Sequence, residues 1–168
     1  MPVASPGVRH GAAATWASIL LALVLIHAGL AMPDTDQWLP LLQHRSALTH
    51  SMLVPLLILA RWPLPAGLLA GGFAIHLAAD LLSRKWVGYA LVKLPLLGSL
   101  DATASQLFLA ANLALGLVLY DRASTLAGAR GPLWIAFAAS AAVYFAINER
   151  YWLLLLPLLV VILLLRRR

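Results

Sequence analysis

From Gly11 to Met32 the chain carries no Asp, Glu, Lys or Arg, a run of 22 residues. About 20 apolar residues are what one helix needs to cross a bilayer. Apolar runs recur at 47–60, 64–82, 102–120, 132–147 and 151–165. Between them stand helix breakers and charges: Pro33, Arg61-Trp62-Pro63, Ser83-Arg84-Lys85 and the loop Asp121–Gly131. The pattern predicts an all-α, polytopic membrane bundle of about six transmembrane segments, forming one domain over residues 1–168. The run 47–60 is short for a span and calls for tilt or partial re-entry. Residues 86–100, with Lys93, Pro95 and Gly98, read as interfacial. The first run is longer than the apolar core of a signal peptide and is followed by further membrane segments, so it reads as a retained helix.

Composition points the same way. The chain is 62% hydrophobic and 11% charged, with a mean hydropathy of +0.90, whereas soluble domains carry roughly 25% charged residues. The net charge of +6 is piled up at Arg166-Arg167-Arg168. Basic residues at membrane edges set topology, and reading nucleic acid would need a solvated basic surface. Membrane lipid is therefore the expected partner and nucleic acid is not. Without cysteine there is no disulfide and no thiolate ligand. Any metal must be held by His, Asp, Glu or backbone oxygen.

Helix packing also has a sequence basis. Gly67 and Gly71 form a G-x-x-x-G pair, and Ala70, Ala74 and Ala78 continue the small residues along the same run. Small residues let membrane helices approach closely. Asp101 is placed to cap the run 102–120, and Gln106 and Asn112 suit hydrogen bonding between helices.

Three polar islands interrupt this apolar chain: Pro33-Asp34-Thr35-Asp36, Gln43-His44-Arg45-Ser46-Ala47-Leu48-Thr49-His50-Ser51 and Ile75-His76-Leu77-Ala78-Ala79-Asp80. They follow the first run, open the second and close the third. Three consecutive spans carry these places to one face of the membrane, whichever way the chain enters. Ionisable groups in a span are costly and usually mark function.

His76 and Asp80, four apart, share one helix face. They suit two ligands of one metal, or a ligand and its partner, or a pair that locks helices together. His44 and His50 would point about 120° apart on one helix. The reading therefore puts His44 in the loop and His50 in the first turn of the second helix, with Ser46 as its cap. An ordinary polar loop at the lipid interface is the alternative. Asp34 and Asp36 can face one cation from a turn, or decorate a solvated helix end. Together the islands offer a mixed nitrogen and oxygen donor set, which suits a divalent metal, Zn first and Mn or Fe next. Such a metal can make a hydroxide near neutral pH.

The order P-D-x-D, then an H-R-x-x-T-H-S-like motif, then H-x-x-x-D resembles the bacterial membrane-bound metal-dependent hydrolase family, whose well-known member is an inner-membrane protein of the SOS regulon. The likeness covers about residues 30–95, leaving the C-terminal helices 102–165 outside it. His44 and Thr49 enclose one residue more than the family's H-R-G-x-T-H-S, and Gln37 stands where a His commonly follows P-D-x-D. The resemblance implies a multi-pass protein of the bacterial inner membrane, with a metal site drawn from Asp34, Asp36, His44, His50, His76 and Asp80. It implies hydrolysis without naming a substrate. In that reading Asp36 or Asp80 serves as base toward water and Arg45 steadies developing negative charge. Location at the interface favours a small-molecule or lipid-linked ester. Two other readings stand beside it: a proton or metal-ion carrier using His76 and Asp80 as a relay, and a non-catalytic scaffold whose islands knit three helices.

Overall fold

The structure, a computed structural model, describes residues 12–39, 41–82 and 85–149. The run 151–165 and the terminal arginines lie outside the described residues. Five α-helices make up most of the rest: α1 (Ala12–Ala31), α2 (Leu53–Leu59), α3 (Pro63–Leu81), α4 (Ala102–Leu126) and α5 (Arg130–Tyr144), the last continued by a π-helical turn at Phe145–Glu149. Among the described residues, three helices are long and apolar enough to cross a membrane: Pro63–Leu81, Ala102–Leu126 and Arg130–Asn148. The apolar stretch Thr15–Ala31 of α1 stands beside them. These features are consistent with an integral membrane protein.

The second run departs from expectation. Only its seven residues Leu53–Leu59 are helical, and at 1.5 Å per residue they cover about a third of a bilayer's hydrocarbon core. The cause is local. The Thr49 hydroxyl bonds the Ser46 carbonyl, the Ser51 hydroxyl bonds the Leu48 carbonyl, and Leu48 N–H bonds the Ser46 hydroxyl. Such contacts offer the backbone turns in place of a helix. His50 therefore sits in a turn ahead of α2, not in its first helical turn, and Ser46 caps no helix.

Helix α3 is the centre of the bundle, buried along most of its length and packed chiefly on α4 and α1. Its small residues make that possible. A Cβ on Gly67 would lie 2.4 Å from Ala123 Cβ, and one on Gly71 would lie 2.4 Å from the Tyr120 ring, so the G-x-x-x-G pair faces α4. The opposite side of α3 meets α1 at a crossing of glycine on glycine. A Cβ on Gly72 would stand 2.1 Å from the Ile26 carbonyl oxygen, and one on Gly29 would stand 2.2 Å from that of Leu69. No spacing motif within either helix announces this second contact.

Polar tethers complete the frame. The Tyr120 hydroxyl donates to the Leu133 carbonyl, joining α4 to α5. Asn112 accepts from Met52 N–H at 2.8 Å and so anchors the start of α2 on α4. Asp101 caps α4 through Ala104 N–H at 2.8 Å. Residues 86–100 fold into a short turn and a two-stranded hairpin, β1 (Lys93–Leu94) and β2 (Gly98–Ser99). Lys93 bonds backbone to backbone with Arg45 and Ala47, at 2.9 and 2.8 Å. This stitches the hairpin to the second polar island. The loops here expose Trp38, Tyr89, Leu96 and Leu97, a composition suited to a membrane–water boundary.

Candidate metal centre

Each polar island reaches the centre by a different local device. Pro33 opens a 3-10 turn over Pro33–Trp38, and Thr35 closes it by donating its hydroxyl to the Met32 carbonyl. That turn swings Asp34 and Asp36 inward. The second island is held by the hairpin, with Arg45 in the left-handed region at φ 61°. Such a conformation costs about 1–3 kcal/mol and persists only where the surroundings enforce it. Here the backbone bond to Lys93 and two guanidinium contacts do so. The third island is the last turn of α3, where His76 and Asp80 share one face, Nε2 to Oδ2 3.7 Å.

His50 and His76 meet edge to face, ring centroids 5.3 Å apart. The Nδ1 of His76 donates to the Leu30 carbonyl at 2.9 Å, with the Tyr144 hydroxyl 3.2 Å from the same nitrogen. The Nδ1 of His50 faces Asp36 Oδ2 at 3.2 Å and Thr49 Oγ1 at 3.1 Å. A carbonyl or carboxylate behind one ring nitrogen keeps the proton there and turns the other nitrogen into an electron-pair donor. Both Nε2 atoms thus point forward with lone pairs.

What they point at is acceptor oxygen. Asp80 Oδ2 lies 3.4 Å from His50 Nε2, and Asp34 Oδ1 lies 4.0 Å from His76 Nε2. His50 Nε2 and Asp80 Oδ2 are buried and have no hydrogen-bond partner among the described residues. Buried polar atoms left in this way are rare and call for an explanation such as an ion. Asp34, His50 and His76 each offer one ligand atom, all within 4.8 Å of one another. Ligands 2.0–2.1 Å from a tetrahedral cation sit about 3.4 Å apart; His50 and Asp80 match that at 3.4 Å, and His76 stands 3.7 Å from Asp80 and 4.0 Å from Asp34. The donor set fits a divalent metal, and its chemistry does not choose among Zn, Mn and Fe.

Asp36 and His44, read from sequence as ligands, take other places. Asp36 is fully buried behind His50. Its Oδ2 accepts from Ser46 N–H at 2.9 Å and from the Thr49 hydroxyl at 3.0 Å. Burial alone would raise its pKa; the contacts with His50, Ser46 and Thr49 outweigh that and hold it below the ordinary value. Asp36 is therefore an ionised partner that orients His50. His44 lies on the far side of Asp36, Nδ1 to Oδ1 3.8 Å, its side chain 31% exposed, with its ring 6.3 Å from that of Tyr89.

Arg45 also differs from expectation. Its guanidinium binds Asp80 Oδ1 at 2.8 Å and the Ala90 carbonyl at 2.8 Å, so it holds the Asp80 carboxylate in place. Of the acids, Asp34 is the one open to water, its side chain 45% exposed, and Gln37 steadies it at 2.9 Å. Sequence reasoning missed the Leu30 carbonyl and Tyr144. The first carries no side-chain signal, and the second comes from α5, far outside residues 30–95. No protein-family model, curated protein or solved structure matches the chain.

Proposed function

We propose that the chain is a metal-dependent hydrolase of the bacterial inner membrane, with Asp34, His50, His76 and Asp80 as ligands of one divalent cation. One observation carries the reading: Asp34, His50 and His76, from three separate segments, each bring a ligand atom within 4.8 Å of the others, and beside them His50 Nε2 and Asp80 Oδ2 are buried 3.4 Å apart without a hydrogen-bond partner. When bound, the cation would supply Lewis acidity and a water acidic enough to ionise near pH 7.

The chain's own residues do the rest. Asp36 fixes the tautomer of His50, and the Leu30 carbonyl fixes that of His76. Arg45 offsets the charge of Asp80 and leaves its Oδ2 aimed at the imidazoles. Asp34, the exposed carboxylate of the cluster, would take a proton from the attacking water, whereas Asp36 is fully buried behind His50. The position beside apolar helices favours an amphiphilic or lipid-linked ester.

The test is metal analysis of the detergent-purified protein by mass spectrometry, alongside hydrolysis of ester probes. About one equivalent of metal is expected. His50→Ala and Asp80→Ala should each lose it together with activity. Full metal content in both variants would rule out this centre, and metal-driven flux in liposomes without hydrolysis would favour a carrier.

A further inference from the structure

We propose that the groove between α1 and α5 holds the hydrocarbon tail of a membrane amphiphile and delivers its ester bond to the metal centre from within the bilayer. The chemistry of this proposal rests on the hydrolase reading; the occupancy of the groove does not.

A cavity of about 870 Å³ runs between the two helices, its wall formed largely by carbon. That volume and lining are those of a site for a mostly apolar ligand. Leu23 and Val24 line it from α1, and Val143 and Ile147 from α5 and its π turn. His27, Ser140 and Asn148 also line it, and the remaining polar groups mark one end. Asp34 lines the groove and is a metal ligand; Tyr144 lines it with its hydroxyl 3.2 Å from His76 Nδ1. Leu30, whose carbonyl holds His76, lines it too. One end of an apolar trough is therefore the edge of the metal centre.

The surroundings select the occupant. Val143 and Ile147 are exposed on a helix whose length and apolarity suit a bilayer, and Val24 is exposed on the shorter apolar helix Thr15–Ala31, so in a membrane the apolar part of the open side meets acyl chains. A lipid tail that enters this groove exchanges one apolar surrounding for another and sheds no water, whereas a water-soluble substrate has no chain to place along it. A second opening, lined by Gln43, His44, Tyr89 and Lys93, lies on the His44 side of Asp36, away from the groove. In the reaction, water's oxygen joins the carbonyl or phosphoryl centre, the ester bond to the alcohol oxygen breaks, and the alcohol leaves with one of water's protons.

The experiment is photolabelling of the full chain in vesicles that contain a lipid ester with a diazirine at the end of its tail. Adducts should concentrate at residues 23–27 and 143–147, and Val143→Trp should reduce them several-fold while leaving metal content intact. If that variant does not accumulate, Val24→Phe narrows the groove from the α1 side. Even labelling over the lipid-facing positions Leu107 and Val118 of α4, or labelling insensitive to both variants, would overturn the proposal. The chain has no cysteine, so a quantitative disulfide between Val143→Cys and a cysteine placed within 151–165 would also overturn it, by showing the groove filled by the chain itself. Photolabelling needs no turnover. A labelled groove in a protein that neither binds metal nor hydrolyses esters would sink the hydrolase reading and keep the groove.

Discussion

Arg45 Nη2 meets Asp80 Oδ1 at 2.8 Å, and this contact decides which oxygen of Asp80 is left to face the imidazoles. With Oδ1 occupied, Oδ2 stands 3.4 Å from His50 Nε2 and 3.7 Å from His76 Nε2. The same guanidinium reaches the Ala90 carbonyl, so one side chain ties the histidine loop to both the end of α3 and the hairpin region.

Arg45→Met should therefore destabilise the protein strongly. Removing one partner of a buried ion pair costs about 3–5 kcal/mol, because the other charge remains buried. Arg45→Lys should recover only part of this, since an ammonium lacks the fork that serves two acceptors. Thermal unfolding in detergent reads both; equal melting temperatures for Arg45→Met and the native chain would contradict the assigned pairing.

Asp36→Asn should separate orienting from ligating. The amide keeps the shape but no longer holds His50 as a carboxylate does, and such partners tune metal affinity by about 10–100-fold. Chelator competition should show that loss with stoichiometry unchanged at saturating metal. His50→Ala should lose stoichiometric binding altogether. Identical behaviour of the two variants would make Asp36 a ligand after all.

Chelation should lower the melting temperature of the native chain. A ligand present at 1,000 times its dissociation constant stabilises the folded state by about 4 kcal/mol. Asp80→Ala, already stripped of the site, should not respond to the chelator. A native chain indifferent to chelation would argue that the four donors hold nothing.

Gly72→Ala tests the crossing of α1 on α3. The added Cβ would meet the Ile26 carbonyl oxygen at 2.1 Å, and because both neighbours are backbone the helices must separate. The expected loss is about 1–3 kcal/mol or more. Gly131→Ala, where a Cβ meets nothing within 4 Å, is the matched control. Unfolding of both variants in the same detergent provides the measurement, and equal stability would deny the close approach.

Much of the centre was legible because its donors carry their own signals. His76 and Asp80 stand one helical turn apart, and charged or imidazole groups are conspicuous in an apolar chain. The roles within the cluster were not legible. Asp36 and Asp34 look alike in P-D-T-D, and only the turn at Pro33–Trp38 sends one behind His50 and the other to the rim. The length of α2 was hidden for a related reason: an apolar run of fourteen residues concealed hydroxyls that bond their own backbone. Gly67 and Gly71 advertised a contact by their spacing, whereas Gly29 and Gly72 belong to different helices, and nothing local joins them.

That glycine crossing has a chemical consequence. Leu30 directly follows Gly29, and His76 lies four residues after Gly72, so the approach of two backbones places a carbonyl against an imidazole. The tautomer of His76 is in this way coupled to interhelical spacing. Bilayer thickness alters the tilt of spanning helices; were a cation held at His76, lipid composition would act on its affinity through a crossing of glycines that contains no ionisable group.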